Sequence, residues 1–392
     1  MAKKSGVWNL QQVRDKQLQD LWNYSSTNGN LFSWGQGQNG ALGLSDTTQR
    51  SSPTQVGSGE DWESLGHQGR RYASGGGLKS DGTLWVWGRN SSGGLGQNDT
   101  IARSSPVQVP GTTWDKFSIG IDKGASIKTD GTLWVWGRND AGDYAGALGQ
   151  NNVVNYSSPV QIPGTTWKQV SNGAGHLTAT KTDGTLWVWG DNSAGVLGLN
   201  EPTNSKKSSP TQVPGTTWNH TWTNNNNTFA SKTDGTLWGI GRNTSGQLGQ
   251  NDTIGRSSPI QIPGTTWATT SYQIGVGYFA VHAIKTDGTL WTWGYNVHGQ
   301  LGQNESYAGR YGYSSPTQVP GTTWAVVDGG GTMTGAVKTD GTLWTWGYNV
   351  TAGQLGTGDA FDRSSPIQIP GTWKNGEGAL NLGYDCMQAI KM

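Results

Sequence analysis

One motif, Asp-Gly-Thr-Leu-Trp-x-x-Gly, recurs six times, beginning at Asp81, Asp130, Asp183, Asp234, Asp287 and Asp340, at steps of 49 to 53 residues. A degenerate seventh copy, Asn28 to Gly35, precedes Asp81 by 53 residues. A period near 50 defines a repeat architecture, in which each unit buries its apolar face only by stacking on its neighbours. This constraint decides the fold class before any single residue is read.

Each unit reads as four short strands. A strand ending in Lys-Thr runs into an Asp-Gly turn, a strong hairpin signal because Gly takes a positive φ without steric cost. The return strand, Thr-Leu-Trp-Val-Trp-Gly, alternates, with Leu133 and Val135 on one face and Trp134 and Trp136 on the other. Asn-x-x-Gly-x-Leu-Gly follows as a tight loop, for example Asn243 to Gly249. Next comes Ser-Ser-Pro-x-Gln-Val/Ile-Pro-Gly-Thr-Thr-Trp, whose prolines confine it to an edge strand or an extended segment. Four strands per unit make one propeller blade. The C-terminal Met387 to Lys391 matches the strand before each Asp-Gly but has no hairpin partner after it. The missing partner is Gly29 to Gly35, so the two ends are expected to share one blade and close a ring of seven.

The string Asp-Gly-x-Leu-x-x-Trp-Gly-x-Asn-x-x-Gly-Gln-Leu-Gly, read at Asp287 to Gly302 and with Ile240 for its Trp at Asp234 to Gly249, resembles the repeat of the regulator-of-chromosome-condensation family. The resemblance spans residues 26–392 and implies an all-β, seven-bladed propeller. Departures are local: Asp143, Tyr144 and Ala145 are inserted before a Gly-Ala-Leu-Gly, and Ile240 replaces the second Trp of its unit. The family implies a fold and no single function, since its members exchange nucleotides on GTPases, bind chromatin, inhibit enzymes or sense light. The light-sensing branch requires Gly-Trp-Arg-His-Thr units, and the nearest string here, Gly175-His176-Leu177-Thr178, has neither Trp nor Arg.

Of the 22 Trp residues, 19 occupy three repeated positions; only Trp8, Trp22 and Trp222 fall outside them. A recurrent Trp is what a blade-to-blade wedge needs, and burying each ring contributes about 2–3 kcal/mol. With 27 basic against 26 acidic residues, the chain carries no electrostatic footprint for nucleic acid. The repeated Lys before each Asp-Gly reads as a solvated hairpin end, and Arg50, Arg103, Arg256 and Arg363 as framework before Ser-Ser-Pro. No apolar run is long enough to insert in a membrane. Cys386 is the single cysteine and is expected to be buried and inert.

Catalysis requires titratable or nucleophilic groups brought together, and none are signalled here. The five histidines, His67, His176, His220, His282 and His298, sit at different offsets in their units. No spacing suggests a metal or a cofactor, and the run Asp328 to Gly331 lacks the Lys-Ser/Thr and helix of a phosphate cradle. A binding protein is the expected class. The framework hardly changes between units while two stretches do: one between Leu-Gly and Ser-Ser-Pro, one after the Trp that follows Thr-Thr. Tyr307, Tyr311, Tyr313, Trp222, Tyr272 and Tyr278 in these stretches are candidate contacts for a sugar or a protein.

Residues 1–27 form a segment separate from the propeller at 28–392. Leu10, Val13, Leu18, Leu21 and Trp22 share a face at helical spacing, with Trp8 ahead of them, and predict a short amphipathic helix that either packs back on the propeller or anchors it to an assembly. The opening Gly6 to Val13, with Leu21-Trp22 beyond, resembles the start of many structural proteins of marine bacteriophages. Together with the low charge and the Gly/Asn/Thr/Ser-rich surface, this gives the expectation of a non-enzymatic virion protein of capsid, neck or tail. Its partners would be other virion proteins and a host-surface glycan or protein. The alternative is a soluble cytoplasmic propeller that binds or regulates a cellular protein.

Overall fold

The structure, a computed structural model, describes residues 28–392 except 60, 69–73, 121, 141 and 307–311. The helix expected over residues 1–27 lies outside the described residues. Seven antiparallel sheets follow one another along the chain, each with at least four strands. Blade 4 shows the plan. Trp167–Asn172, His176–Lys181, Leu186–Asp191 and Lys206–Val213 lie side by side in that order. The first of these is innermost, against the inner strands of the neighbouring blades, and the Ser-Ser-Pro strand forms the outer edge. Proline therefore falls where no ladder hydrogen bond is asked of its nitrogen.

The ring closes as expected. Asn30–Gly35 pairs with Cys386–Lys391 in unbroken register from Asn30↔Lys391 to Gly35↔Cys386. Arg50–Gln55 and Leu380–Leu382 complete this shared blade, called blade 1 below. Blade 3 carries an extra short strand, His67–Gln68 from the preceding unit, paired in parallel with Trp114–Gly120.

The apolar core is distributed as a series of clusters along the ring. The second Trp of each Leu-Trp-x-Trp-Gly is the wedge: Trp34, Trp87, Trp136, Trp189, Trp293 and Trp346 are all fully buried. Four of these donate Nε1–H to a carbonyl of the previous blade's glycine loop, Trp87 to Ala41, Trp136 to Gly94, Trp293 to Gln247 and Trp346 to Gln300, at 2.8–2.9 Å. Gly96 shows why that loop needs glycine: its φ is +67°, and a Cβ there would lie 3.1 Å from Trp136 Nε1. In blade 5 Ile240 takes the Trp place and is fully buried as well.

The Asp-Gly hairpins are built identically in six blades. The Asp carboxylate accepts from the backbone N–H and the hydroxyl of the Thr two residues on. The same Thr Oγ1 accepts from the first Trp Nε1 at 2.8–3.0 Å. This hydroxyl bond, with the backbone N–H, holds each of the six carboxyls below the usual range.

The Lys before each Asp-Gly is not a solvated hairpin end. Its ammonium sits between two indoles, the first Trp of the hairpin and the Trp that opens the inner strand. Lys181 Nζ lies 4.6 Å from the Trp167 ring centroid and 4.3 Å from that of Trp187. Lys79, Lys128, Lys232, Lys285 and Lys338 repeat the arrangement, and in blade 1 Lys391 lies between Phe32 and Trp373. Arg50, Arg103, Arg256 and Arg363 are framework, each paired at 2.6–2.7 Å with the Asp four residues before it.

Candidate functional site

The innermost strands converge on the ring axis, and their sequences are polar because of what they must do there. Neighbouring inner strands are joined by side chains that reach across to backbone. Gln169 Nε2 donates to Thr221 O while its Oε1 accepts from Thr221 N, at 2.9 and 2.6 Å. Ser171 Oγ accepts from Thr223 N at 3.0 Å, Asn224 Nδ2 donates to Gly277 O at 2.8 Å, and Asp328 Oδ2 accepts from Leu382 N at 2.8 Å. Inner strands therefore carry Gln, Ser, Thr and Asn where other strands carry Val and Leu.

At the face bearing the Asp-Gly turns the axis opens into a cavity of about 380 Å³. Each of the seven blades contributes to its wall. The floor is apolar, from Phe117, Val170, Val326 and Leu380, all buried. Polar groups stand above it: Lys116, Lys168, His220 and Glu377. A second hollow of about 640 Å³ opens beside it, lined by Trp114, Trp373, Lys374 and Asp340, with Lys116 and Glu377 common to both.

The three lysines differ electrostatically. Burial opposes the charge of Lys116, but Glu377 at 3.0 Å and Asp115 at 3.5 Å outweigh it and lift its pKa above the ordinary lysine value. Burial pulls the Lys168 ammonium below its ordinary value, and its hydrogen-bond partner is the neutral Asn219 Oδ1. Lys374 is also lowered by burial, against the pull of Glu63 and Glu377, and donates to the Glu63 carbonyl.

Blade 6 reaches into this opening. Its chain makes a short 3-10 turn at Ser271–Gln273. Trp222 Nε1 holds that turn by donating to Ser271 O at 2.8 Å, and Tyr272 packs against the core formed by blades 7 and 1. Trp222 is 2% exposed and lies in the strand Trp218–Thr223, so it positions the wall and offers no ring to a ligand. Of the other candidate contacts, only Tyr272 lines the opening. Tyr278 lies at the opposite end of the axis, its ring 3.9 Å from Phe279 and 6.2 Å from Tyr384. Tyr313 is on the outer strand Gly312–Gln318, donating to Glu305 Oε2 at 2.7 Å, while Tyr307 and Tyr311 lie outside the described residues. The stretch after Trp218, read as a variable loop, is mostly the inner strand itself. Lys116, Lys168 and Lys374 were missed; their signal was position, one to two residues beyond the inner-strand Trp.

The strongly shifted groups are in the walls. His176 and His282 are pushed down to about 3 by burial, with Lys123 adding to the effect on His176. Burial brings Lys123 down to about 7, its Nζ donating to Gly173 O at 2.9 Å and His176 O at 3.3 Å. Burial raises Asp328 to about 7 against two backbone N–H donors, and Cys386 to about 12. Asp328 opens a glycine turn at the far end of the axis, with both carboxyl oxygens already accepting from backbone. Among the described residues no group of three or more His, Cys, Asp or Glu is placed to hold a metal, and no helix is long and apolar enough to cross a membrane.

The profile of the RCC1-like domain matches residues 30–385. The chain is 29% identical over 298 residues to the ultraviolet-B receptor UVR8 of Arabidopsis thaliana, covering 74% of this chain and 67% of that protein. To the mitochondrial RCC1 domain-containing protein RUG3 of the same plant it is 26% identical over 375 residues, covering 86% and 82%. The solved structure of Prp20p from Saccharomyces cerevisiae superposes with a TM-score of 0.79 at 18% identity, covering 93% of this chain and 92% of that one. These are proteins of cells, and they overturn the expectation of a bacteriophage virion component. The segment that carried the phage resemblance lies outside the described residues, and the composition that accompanied it belongs equally to the propeller framework.

Proposed function

This chain belongs to the RCC1-like domain family, and from that premise we propose that it is a cellular, non-catalytic propeller that binds a protein partner across the face bearing its Asp-Gly turns. The observation that supports this reading is the axial opening on that face, where all seven blades contribute different side chains to one concave, partly charged wall. Most of each blade repeats the same clamps and wedges, and the opening is a place where side chains from all seven blades meet without that equivalence. Loops and concave ends carried on a rigid scaffold are where recognition sits. In the same fold, Prp20p is described by its binding to Gsp1p and histones, and in complex with Kap60.

A photoreceptor role like that named for UVR8 is not favoured, because the one string near the required unit, Gly175 to Thr178, runs into a strand whose His176 is buried and only 1% exposed. Within this reading residues 28–392 form the binding unit. Residues 1–27, with Trp8, Leu10, Val13, Leu18, Leu21 and Trp22, form a separate segment appended to it.

The test is crosslinked affinity capture of the tagged full chain from cells that express it, with two variants in parallel. One replaces Tyr272 and Lys116 on the turn face; the other replaces Tyr278 and Tyr384 at the opposite end. A stoichiometric protein partner lost only with the turn-face variant supports the proposal. Capture of no stoichiometric partner, or loss only with the opposite-face variant, refutes it.

A further inference from the structure

We infer that the axial cavity on the turn face receives an acidic side chain of a protein partner, an Asp or Glu flanked by an apolar residue, with Lys168 as its principal charged contact. The inference rests on the protein-binding reading above and specifies the chemistry of the same site.

Three features of the cavity point to this occupant. The first is charge. Lys116 and Lys168 line the cavity, and the carboxylate lining it, Glu377, is already paired with Lys116 at 3.0 Å. Lys168 has no carboxylate within ion-pair distance among the described residues, and its hydrogen bond goes to the amide oxygen of Asn219. An ammonium has three donors, and a neutral amide oxygen satisfies one. A carboxylate entering the opening restores a charge partner to a partly desolvated cation, where a hydrogen bond between ions is about twice as strong as a neutral one.

The second feature is shape. A cavity of about 380 Å³ is at the small end of ligand pockets and holds one or two side chains, not a folded surface or a nucleic-acid strand. Its floor of Phe117, Val170, Val326 and Leu380 is apolar and buried, which suits an apolar neighbour of the acidic residue. The third feature is the wall from blade 6. Tyr272 packs its ring on the core of blades 7 and 1, and its hydroxyl makes no hydrogen bond to any described residue. That leaves it a donor for the second carboxylate oxygen. The net charge of +1 for the whole chain places this specificity in the cavity and not in a general attraction for acidic molecules.

The experiment uses the full chain and a displayed library of random dodecapeptides. The expected result is enrichment, over an unrelated propeller, of peptides with Asp or Glu at one aligned position beside an apolar residue. A synthetic peptide of the enriched sequence should lose at least tenfold in affinity when its acid is changed to the amide, and also when the protein carries Lys168→Gln. The two changes together should cost little more than either alone, because they remove the same contact. Lys168→Arg should keep most of the binding, and an unchanged thermal midpoint in both variants shows that the ring is intact. Three results overturn the inference: no enrichment, enrichment of peptides lacking an acid, or equal binding by Lys168→Gln. If a partner is captured from cells but no acidic residue is selected, the inference fails and the protein-binding reading stands. If a turn-face partner is not captured, the broader reading fails on its own experiment.

Discussion

Replacing Lys181 with Met tests whether the repeated lysines are structural cations. The ammonium lies 4.6 and 4.3 Å from two indole centroids, Trp167 and Trp187. At partly exposed sites each such contact contributes about 0.5–1 kcal/mol, so the pair is worth about 1–2 kcal/mol. Methionine keeps most of the stem and its packing on both rings and loses only the charge, so the measured loss should approach the cation–π term, about 1 kcal/mol. Lys128, Lys232 and Lys338 sit in separate blades with their own ring pairs, so the four substitutions should add to about 4 kcal/mol. The assay is equilibrium urea denaturation followed by tryptophan emission, comparing midpoints of single and quadruple variants at constant salt. Lys181→Arg serves as control, since a guanidinium stacks on aromatic faces as well as an ammonium does. A quadruple Met variant as stable as the wild type would show that the lysines merely occupy space between the rings, and the reasoning would fail.

Acid should destabilise the ring through its buried histidines. Burial pushes His176 and His282 down to about 3 when folded, against 6.5 when unfolded, so between these values the unfolded chain binds more protons and stability is lost as the pH falls, by up to about 1.4 kcal/mol per unit for each. Asp328, raised to about 7, works oppositely: the folded carboxyl holds a proton that the unfolded one releases above about 4, so its contribution grows as pH falls through this window. Unfolding free energies from urea titrations between pH 6 and 4 should therefore fall by about 1.4 kcal/mol per unit in the wild type and about twice as steeply in Asp328→Asn; equal slopes would contradict the assignment. Trp136→Phe removes the Nε1–H bond to Gly94 O, leaves a buried acceptor unpaired and opens a void, which should cost about 2–4 kcal/mol in thermal or urea unfolding. Cys386 is buried and its thiol pushed up to about 12, so a thiol-specific chromogenic reagent at pH 8 should leave the native chain untouched and titrate one thiol in denaturant.

Much of the framework was legible in the sequence because each element there solves a local problem that repeats. The Asp-Gly-Thr turn, the proline-bearing outer strand and the Trp wedge are written within a few residues of one another, and the matching of Met387 to Lys391 with the earlier Lys-Thr strands told where the ring closes. The lysine clamp was not legible in that way. Its second ring comes from a Trp that lies 14 residues before the Lys in four blades and 17 or 18 in the others, brought alongside only by pairings such as Trp167↔Lys181. A trace did exist: the Lys stands six residues before the first Trp in every complete copy, a fixed spacing that a merely solvated side chain has no need to keep. The stretch Asn219 to Thr228 was misread for a related reason. It lacks apolar alternation, which normally argues against a strand, yet Asn219 and Asn224 donate to backbone carbonyls of the next blade while the Thr221 and Thr223 amides donate to Gln169 and Ser171 of the blade before, bonds that only polar side chains can make.

The same physics explains why a repeat this regular can still be specific. Three strands of every blade face other blades in an environment that recurs at each step of the ring, so their residues are held to one solution. The innermost strand faces the axis, where each blade meets six different companions, and no common solution is imposed. Lys116, Lys168, His220 and Tyr272 stand on these inner segments, at or beside the strands that form them; of the residues that match Lys168 in the other blades only Lys374 is also a lysine, the rest being Glu63, Asp115, Asn219, Ala268 and Ala325. Clamps of Lys between Trp rings, set a few residues away along the same strands, hold the opening in shape without reaching into it. Stability and recognition are thus carried by different side chains of one blade. A change such as Lys168→Gln should therefore move binding and leave the unfolding midpoint in place, while Lys181→Met should do the reverse.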